Sequence, residues 1–362
     1  MTNANHKRLM IPGPVEVRQE ILEAQTAWMI GHRSSEIATL IENLEAKLQQ
    51  VFLTESRVFI QGSSGTGLWE GASRNCIRDD KKALHLVGGA FSERWAKVSE
   101  ANGKQIDVIE VEWGQAHQPE MVEAALKNET YDAICIVHNE TSTGVLNPLK
   151  DIAEIAARYP ETLLLVDTVS SAVGAELRVD DWNIDLTVTS SQKAFALPPG
   201  LAFATISERV LKRAEQISNR GYYFDFLTIA KSLKKFNTPS TPPIPVMFAA
   251  DMQLDDILRE GLENRWARHE QLRDITHQWA LDRGFGLFAQ EGFRSPTVTA
   301  IDNRQRQIDV FDMAKAMAEQ GYVMDKGYGS IKGDTFRIAH MGDISVTTLE
   351  EVLSCLDDYL GV

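Results

Sequence analysis

Cysteine is scarce in this sequence, and the cysteines present lie far apart. Among 362 residues there are three, Cys76, Cys135 and Cys355, and no two of them form a Cys-x-x-Cys pair. A disulfide framework or a cysteine-bound zinc ion requires closer and more numerous cysteines. We therefore expect neither, and we expect no metal site.

Basic residues and long apolar runs are also in short supply. The chain has 37 lysines and arginines against 51 aspartates and glutamates, a net charge of −14. This charge argues against nucleic acid or an anionic membrane as the main partner. No apolar run approaches the roughly 18 to 20 residues of a membrane span, and residues 1–10 lack the apolar segment of a signal peptide. We expect a soluble, cytoplasmic protein.

Alternating helical and strand patterns dominate the first part of the chain. Seven short apolar runs have the length of strands that are buried on both faces, and helical segments separate most of them. The runs lie at 58–60, 84–87, 108–111, 134–137, 163–166, 186–188 and 201–206. This pattern predicts an α/β domain built on a mostly parallel, seven-stranded sheet.

The rest of the chain predicts a proline-rich strap and a smaller α+β unit. Residues 236–245 contain four prolines and should form an extended, rigid segment, which a long helix interrupted near Gly261 should follow. The last predicted helix has Thr347 and Glu350 as a capping box. We divide the chain into an N-terminal arm (1–20), a large domain (21–258) and a small C-terminal domain (259–362).

Two charged residues follow predicted buried strands. Lys193 lies in a polar turn after the apolar run at 186–188. Asp167 directly follows the apolar run at 163–166. Lys193 is either an ordinary loop lysine or an amine that loses its proton and forms a Schiff base. Asp167 is either a helix cap or the partner of a cation, because a buried carboxylate needs compensation. A protonated pyridine nitrogen would suit an aspartate near such a lysine.

A third candidate is the Gly/Ser-rich loop at 62–67, between a predicted strand and a predicted helix. Small residues that open a helix present free backbone N–H groups to an anion. The loop lacks the lysine of a Walker motif and the spacing of a dinucleotide fingerprint. Taken alone, it is compatible with either a phosphate-binding loop or an ordinary tight turn.

Together these features resemble those of the class V aminotransferases, in particular the serine/alanine–glyoxylate group. The similarity runs from about residue 9 to the C-terminus and is carried by six separated motifs. They are IPGP at 11–14, GHRS at 31–34, SGTG at 64–67, HNETSTG at 138–144, VDTVSS at 166–171 and SQK at 191–193. The resemblance implies fold type I, pyridoxal phosphate as cofactor and a homodimer with shared active sites.

The resemblance also implies roles for single residues. Lys193 would bind the cofactor covalently and move a proton, and Asp167 would keep the pyridine nitrogen protonated. Phe91 would stack on the cofactor ring, and Thr141 would meet its hydroxyl oxygen. The phosphate would be held by Ser64, Gly65, Thr66 and Gln192, and by Thr241 of the neighbouring subunit.

For the substrate, Arg337 matches an arginine that binds the α-carboxylate, although an ordinary strand arginine is the alternative. Gly31 would belong to a loop whose backbone lines the substrate pocket. A second cation for a distal substrate group could be Arg33, Arg220 or Arg294. An aromatic run either lines the pocket or packs in the core, and it comprises Tyr222, Tyr223, Phe224 and Phe226.

The implied activity is transfer of the amino group of serine or alanine to glyoxylate or pyruvate by a ping-pong mechanism. Aspartate or an aminophosphonate remains open as the donor. A cysteine desulfurase or lyase is disfavoured, because a desulfurase needs a thiol on a mobile loop late in the chain and Cys355 falls on the last predicted helix. A non-catalytic cofactor-binding subunit is disfavoured because Lys193, Asp167 and Arg337 are all present.

Overall fold

A computed structural model describes residues 6–362, so residues 1–5 of the expected N-terminal arm lie outside the described residues. Seven strands form the main sheet: Arg57–Gly62 (β1), Lys82–Val87 (β2), Gln105–Glu110 (β3), Tyr131–Val137 (β4), Leu163–Asp167 (β5), Leu186–Ser190 (β6) and Leu201–Ile206 (β7). Their order across the sheet is β1-β7-β6-β5-β4-β2-β3. Strand β7 is antiparallel to both of its neighbours, and all other pairs are parallel. The prediction of a mostly parallel, seven-stranded sheet is confirmed.

Helices alternate with these strands and continue beyond them. In chain order they are Gln19–Ala24 (α1), Ser35–Phe52 (α2), Gly65–Cys76 (α3), Ala90–Ala101 (α4), Pro119–Asn128 (α5), Leu149–Ala156 (α6), Glu208–Glu215 (α7), Phe226–Leu233 (α8) and Ile244–Glu260 (α9). Between residues 6 and 362, no helix has the length and apolar character that crossing a membrane would require.

The central strands are buried along their whole length because helices pack against the sheet. Strand β3 differs from the prediction that every apolar run is buried on both faces. It pairs only with β2, at the edge of the sheet, and Val108 within it is 46% exposed. An edge position depends on the order of strands in space, which the length of an apolar run does not contain.

The C-terminal part is the expected smaller α+β unit. It contains Leu262–Asp282 (α10), Gly286–Leu287 (β8), Val298–Asp302 (β9), Val310–Glu319 (α11), Thr335–Ala339 (β10) and Val346–Leu360 (α12). Strands β8, β9 and β10 form an antiparallel sheet. The predicted helix break is present at Gly261, whose φ of +82° separates α9 from α10.

Helix α10 contributes to two clusters of buried apolar side chains. Leu262 and Trp266 belong to the cluster around the main sheet, whereas Leu272 and Trp279 belong to the cluster of the C-terminal unit. The division of the chain at 258/259 stays a proposal.

Two local predictions are wrong. The extended strap ends at Pro243, because α9 begins at Ile244 and Pro245 occupies its first turn, where a missing N–H does no harm. The N-cap of α12 is Ser345, whose hydroxyl accepts a hydrogen bond from the N–H of Thr348 at 3.1 Å, so Thr347 is not the cap.

Candidate active site

The carboxyl ends of β4, β5 and β6 meet at one edge of the sheet, where a cavity opens. Val137, Asp167 and Ser190 end these strands, and all three line the cavity. Ligands of open α/β sheets bind at this edge. Eight predicted site residues line the same cavity, namely Ser64, Gly65, Thr66, Phe91, Thr141, Asp167, Gln192 and Lys193.

Lys193 lies in the turn after β6 and lines both this cavity and a neighbouring one. Its ammonium group donates a hydrogen bond to the carbonyl oxygen of Pro12. Gly13 lies so close that a Cβ atom there would overlap the lysine side chain. Burial, and then the positive charge of Arg337, lower the pKa of Lys193 to about 8. An amine that loses its proton this easily is a nucleophile and a base near neutral pH.

Asp167 is a fully buried carboxylate whose hydrogen-bond donors are neutral. Its Oδ1 accepts from the N–H of Val169 at 2.8 Å, and its Oδ2 accepts from Nε1 of Trp69 at 2.7 Å. Burial raises the pKa of Asp167 to about 7. A cation inside the cavity would favour the ionised carboxylate, because an opposite charge lowers the pKa of a buried acid.

The N-terminus of α3 forms one wall of the cavity. The helix begins at Gly65, with Ser64 as its N-cap, and its first N–H groups lack partners within the helix. A Cβ atom at Gly65 would lie 2.7 Å from Cγ2 of Val169, so the loop requires glycine there. Ser190 Oγ and Gln192 Oε1 are buried without a hydrogen-bond partner among residues 6–362. Unpartnered polar atoms beside a helix N-terminus suit a bound anion.

Glu140 fixes the start of α4 and with it the ring of Phe91. Its carboxylate accepts hydrogen bonds from the N–H and the hydroxyl of Ser92, at 3.0 and 2.9 Å, and from the hydroxyl of Ser142 at 2.6 Å. The ring of Phe91 stacks on that of Tyr328, with centroids 5.3 Å apart and planes inclined by 19°. Phe91, like Lys193, lines both cavities.

Arg337, on β10, lines the second cavity together with Lys193. Its Nε and Nη2 donate to the two carboxylate oxygens of Asp325, each at 2.8 Å, and its Nη1 donates to the carbonyl oxygen of Thr141 at 2.8 Å. The arginine side chain is only 5% exposed. The predicted carboxylate-binding arginine is thus beside the first cavity, and a carboxylate of this chain occupies one edge of its guanidinium group.

Thr141 connects the two cavities through its hydroxyl and its carbonyl. Its Oγ1 lies 2.6 Å from Oγ of Ser170, while its carbonyl oxygen accepts the bond from Arg337. A residue of the first cavity therefore positions the guanidinium group of the second.

Gly31 and Thr241 are exposed and line neither cavity within this single chain. Arg33 joins the two segments, since its Nη1 donates to the side chain of Asn237 and to the carbonyl oxygen of Thr238, the latter at 2.7 Å. The turn that contains Gly31 and the strap that contains Thr241 therefore form one surface. Their predicted roles require a second chain and stay predictions.

The three arginines considered for a distal substrate group line neither cavity of the described chain. Arg33 binds the strap, Arg220 donates from Nε to Asp225 at 2.8 Å, and Arg294 donates from Nε to the carbonyl oxygen of Ala289 at 3.3 Å. The lysines that line the second cavity are Lys193, Lys326 and Lys332.

The predicted aromatic run also lies outside both cavities. Phe226 is buried in the main core, and Tyr222 is 91% exposed. Tyr223 donates to the carbonyl oxygen of Gly62 at 3.0 Å, so it supports the loop that leads into α3. Of the two interpretations of this run, core packing holds for Phe226, and the partly buried Phe224 packs against the same core.

Several lining residues were missed by the sequence reasoning. They are Trp69, Arg94, Asn139, Asp325 and Tyr328. Asn139 lies within the HNETSTG motif, and Trp69 lies one helical turn after Gly65, so both carried a local signal. Asp325 and Tyr328 lie in an irregular segment before β10, where periodicity gives no guidance.

The first cavity fits pyridoxal phosphate by the chemistry of its residues. A buried amine of lowered pKa, a buried carboxylate with neutral donors, and a helix N-terminus with unpartnered polar atoms line one space. Lys193 would hold the aldehyde carbon, Asp167 the ring nitrogen, and the start of α3 the phosphate.

Comparison with known proteins is consistent with this chemistry. The model of the family "Aminotransferase class-V" matches residues 17–334. An uncharacterized aminotransferase of Methanocaldococcus jannaschii is 38% identical, over 98% of this chain and 93% of its own length. The serine–glyoxylate aminotransferase of Methylorubrum extorquens is 34% identical, over 95% of this chain and 88% of its own length.

A solved structure, that of an alanine–glyoxylate aminotransferase from Nostoc sp., superposes with a TM-score of 0.93 at 26% identity. It covers 99% of this chain and 96% of its own chain. The family match and the relatives that span nearly the whole sequence show that this chain belongs to the class V aminotransferases, whose cofactor is pyridoxal phosphate.

Proposed function

We propose that the protein transfers the amino group of a small amino acid, serine or alanine, to glyoxylate or pyruvate by a ping-pong mechanism. The observation that carries the proposal is the position of Lys193, which lines the cavity of Asp167 and also the cavity of Arg337. The names of two similar proteins, a serine–glyoxylate and an alanine–glyoxylate aminotransferase, support the choice of substrates.

Pyridoxal phosphate, when bound, supplies an electron sink for the bond that breaks at the substrate's α-carbon. Asp167 holds the proton on the ring nitrogen, and its bonds to Val169 and Trp69 keep the carboxylate in place. Phe91, whose backbone N–H donates to Glu140 at 3.3 Å, would offer its ring to the cofactor ring as a stacking surface. The N-terminus of α3 anchors the phosphate.

Lys193 moves the proton of the reaction. Its amine, whose pKa is about 8, would take a proton from the substrate's α-carbon and deliver it to the cofactor carbon that carries the amino group. Arg337 binds the α-carboxylate, which orients the C–H bond toward the amine of Lys193. Both functions need the two cavities to be adjacent, and Phe91 and Lys193 are the residues that they share.

We also propose a homodimer whose active sites are built from both chains. Apolar side chains are exposed next to the turn of Gly31, where Trp28 is 95% and Met29 is 65% exposed. Neighbouring exposed apolar residues of this kind commonly mark an interface. A second chain on this surface would bring Gly31 and Thr241 to a cavity of its partner. The cytoplasmic location stays a prediction.

A desulfurase function receives no support from the cysteines. None of them lines either cavity of the described residues. Cys76 and Cys135 are buried, and burial raises the pKa of both thiols, which makes them poor nucleophiles. Cys355 lies on α12, in a regular helix of the C-terminal unit.

Single-turnover reactions test the proposed donors. Protein loaded with cofactor is mixed with one amino acid and no acceptor, and the oxo acid formed is quantified. Alanine and serine should each give about one oxo acid per active site, because each site reacts once, and added glyoxylate should then yield glycine. The Lys193→Ala variant is the control and should give none. Reaction with aspartate or an aminophosphonate alone would contradict the proposed donors.

A further inference from the structure

We propose that Asp325 determines the substrate class, by lowering the affinity of the second cavity for molecules that carry a second acidic group. The inference rests on the proposed function, in which Arg337 binds the α-carboxylate. It identifies a residue of this chain that would favour monocarboxylic amino acids such as alanine and serine over dicarboxylic ones.

Arg337 retains N–H donors that a substrate carboxylate can use. A guanidinium group has five N–H donors, one on Nε and two on each terminal nitrogen. The bonds to Asp325 use the donor on Nε and one on Nη2, and the bond to Thr141 uses one on Nη1. One N–H remains on Nη1 and one on Nη2, which is enough for one further carboxylate.

Asp325 is fixed in its position beside Arg337 by a second hydrogen bond. Its Oδ1 accepts a hydrogen bond from the N–H of Gly327 at 2.8 Å in addition to the bond from Arg337. Gly327 has a φ of +79° and packs against the backbone of Thr335, so the turn that holds Asp325 is tight. A substrate carboxylate therefore joins Asp325 on the guanidinium group and does not replace it.

The carboxylate of Asp325 acts on a second acidic group of the substrate by electrostatic repulsion. When a substrate carboxylate binds, it and Asp325 share the single charge of Arg337, and a further anion of the substrate meets Asp325 as a nearby like charge. Like charges held close together in a partly buried site repel each other and weaken binding. A donor with only one carboxylate avoids this repulsion, whereas a dicarboxylic donor does not.

Lys326 and Lys332 also line this cavity, and their charges oppose the effect. Their ammonium groups lie 5.9 and 5.8 Å from the ring centroid of Phe311. That ring is 52% exposed and lies outside the cavity lining, which puts both ammonium groups at the solvent-exposed rim. Charges at the rim are screened by salt, while Asp325 contacts Arg337 directly.

Two unreactive probes of similar length test the proposal. Propionate carries one carboxylate and succinate carries two, and calorimetric titration of the cofactor-loaded protein measures the affinity for each. The Asp325→Asn variant should shift the ratio of the two affinities toward succinate by about tenfold. The control variant is Asp334→Asn, an exposed carboxylate in the same segment that lines neither cavity, and it should leave the ratio unchanged.

An unchanged ratio in Asp325→Asn, or equal weakening of both probes, would overturn the selectivity role and leave Asp325 as a support for Arg337. Asp325→Ser provides a second neutral side chain in case the asparagine variant does not fold. Arg337→Ala separates this outcome from failure of the proposed function. If propionate binds that variant as well as the native protein, the carboxylate site itself is wrong, whereas Arg337-dependent binding with an unchanged ratio overturns only the inference about Asp325.

Discussion

Lys193 and Arg337 are the two side chains whose chemistry the proposed reaction needs most directly. Arg337 is buried and Lys193 is partly buried, and each has a polar contact that restrains it, through Pro12 for the lysine and through Asp325 and Thr141 for the arginine. Buried charged groups of this kind affect stability as well as activity. Each therefore supports a prediction with its own measurement.

The buried amine of Lys193 should make the stability of the cofactor-free protein depend on pH. Its pKa is about 8 in the folded chain, against an ordinary value of 10.5. Between these values the unfolded chain holds more protons, so this residue makes the free energy of unfolding rise with pH, by about 3 kcal/mol over the whole interval.

Urea unfolding at pH 7.5 and at pH 10 measures this effect, and Lys193→Met provides the reference without an amine. The methionine variant should be more stable than the native protein at pH 7.5, and its advantage should shrink at pH 10. An advantage that is the same at both pH values would show that the pKa of Lys193 is not lowered.

Substitution of Arg337 should affect substrates and leave cofactor binding intact. Arg337→Ala should reduce kcat/KM for serine, alanine and glyoxylate by an amount equivalent to about 3 to 5 kcal/mol, as for a truncated buried charge pair. Arg337→Lys keeps the positive charge but lacks the two parallel N–H donors of the guanidinium group, so the reduction of kcat/KM should be smaller than for Arg337→Ala. Steady-state kinetics with each substrate measure this. Unchanged kcat/KM for serine and alanine would refute the assignment.

The surroundings of these residues were predictable only in part. Asp167 follows an apolar run and Lys193 follows the next one, so the sequence alone indicates that both lie at the ends of buried strands. The pair between Asp325 and Arg337 joins an irregular segment to a strand, and it depends on how the turn at Gly327 folds back. No spacing rule encodes such a contact.

At the scale of elements, apolar run length predicted all seven strands of the main sheet, and for the central strands the reason is that strands covered by helices must be apolar on both faces. Helix ends were less predictable. Ser345, Thr347 and Thr348 are all suitable caps by residue type, and the backbone decides among them. The correct cap could be identified only from the direction in which the chain enters α12.

The cap of α12 gives a prediction with an internal control. Ser345→Ala should lower the free energy of unfolding by about 1 kcal/mol, because the N–H of Thr348 loses its acceptor. Thr347→Ala, two positions along and also exposed, should change it by less than about 0.5 kcal/mol. Chemical denaturation of both variants measures this. Equal losses would contradict Ser345 as the cap.

At the scale of the whole molecule, the proposed dimer is the part of the account that a single chain leaves open. Gly31 and Thr241 share a surface through Arg33, yet neither reaches a cavity of its own chain. The prediction that Thr241 binds the cofactor phosphate in the active site of the partner subunit comes from the family resemblance. Composition and periodicity could not predict this, because contacts between chains leave no periodic signal.

Hybrid dimers test whether Thr241 acts across the interface. Thr241→Ala should weaken cofactor retention by roughly 1 to 3 kcal/mol, since a donor to the phosphate is lost. Mixed with Lys193→Ala chains, it should form hybrid dimers in which one site has both native residues and binds cofactor with native affinity. Weak retention in the hybrid, or a catalytically active monomer, would contradict a shared site.

The central claim is that Lys193 holds the cofactor and moves the proton. The most direct measurement is borohydride reduction of the cofactor-loaded protein, followed by proteolysis and mass spectrometry of the peptides. We predict a pyridoxyl group on Lys193 and on no other lysine. We further predict that Lys193→Ala stays folded, still associates with the cofactor through the other contacts, and does not transaminate. A label on a different lysine, or transamination by the alanine variant, would contradict the account.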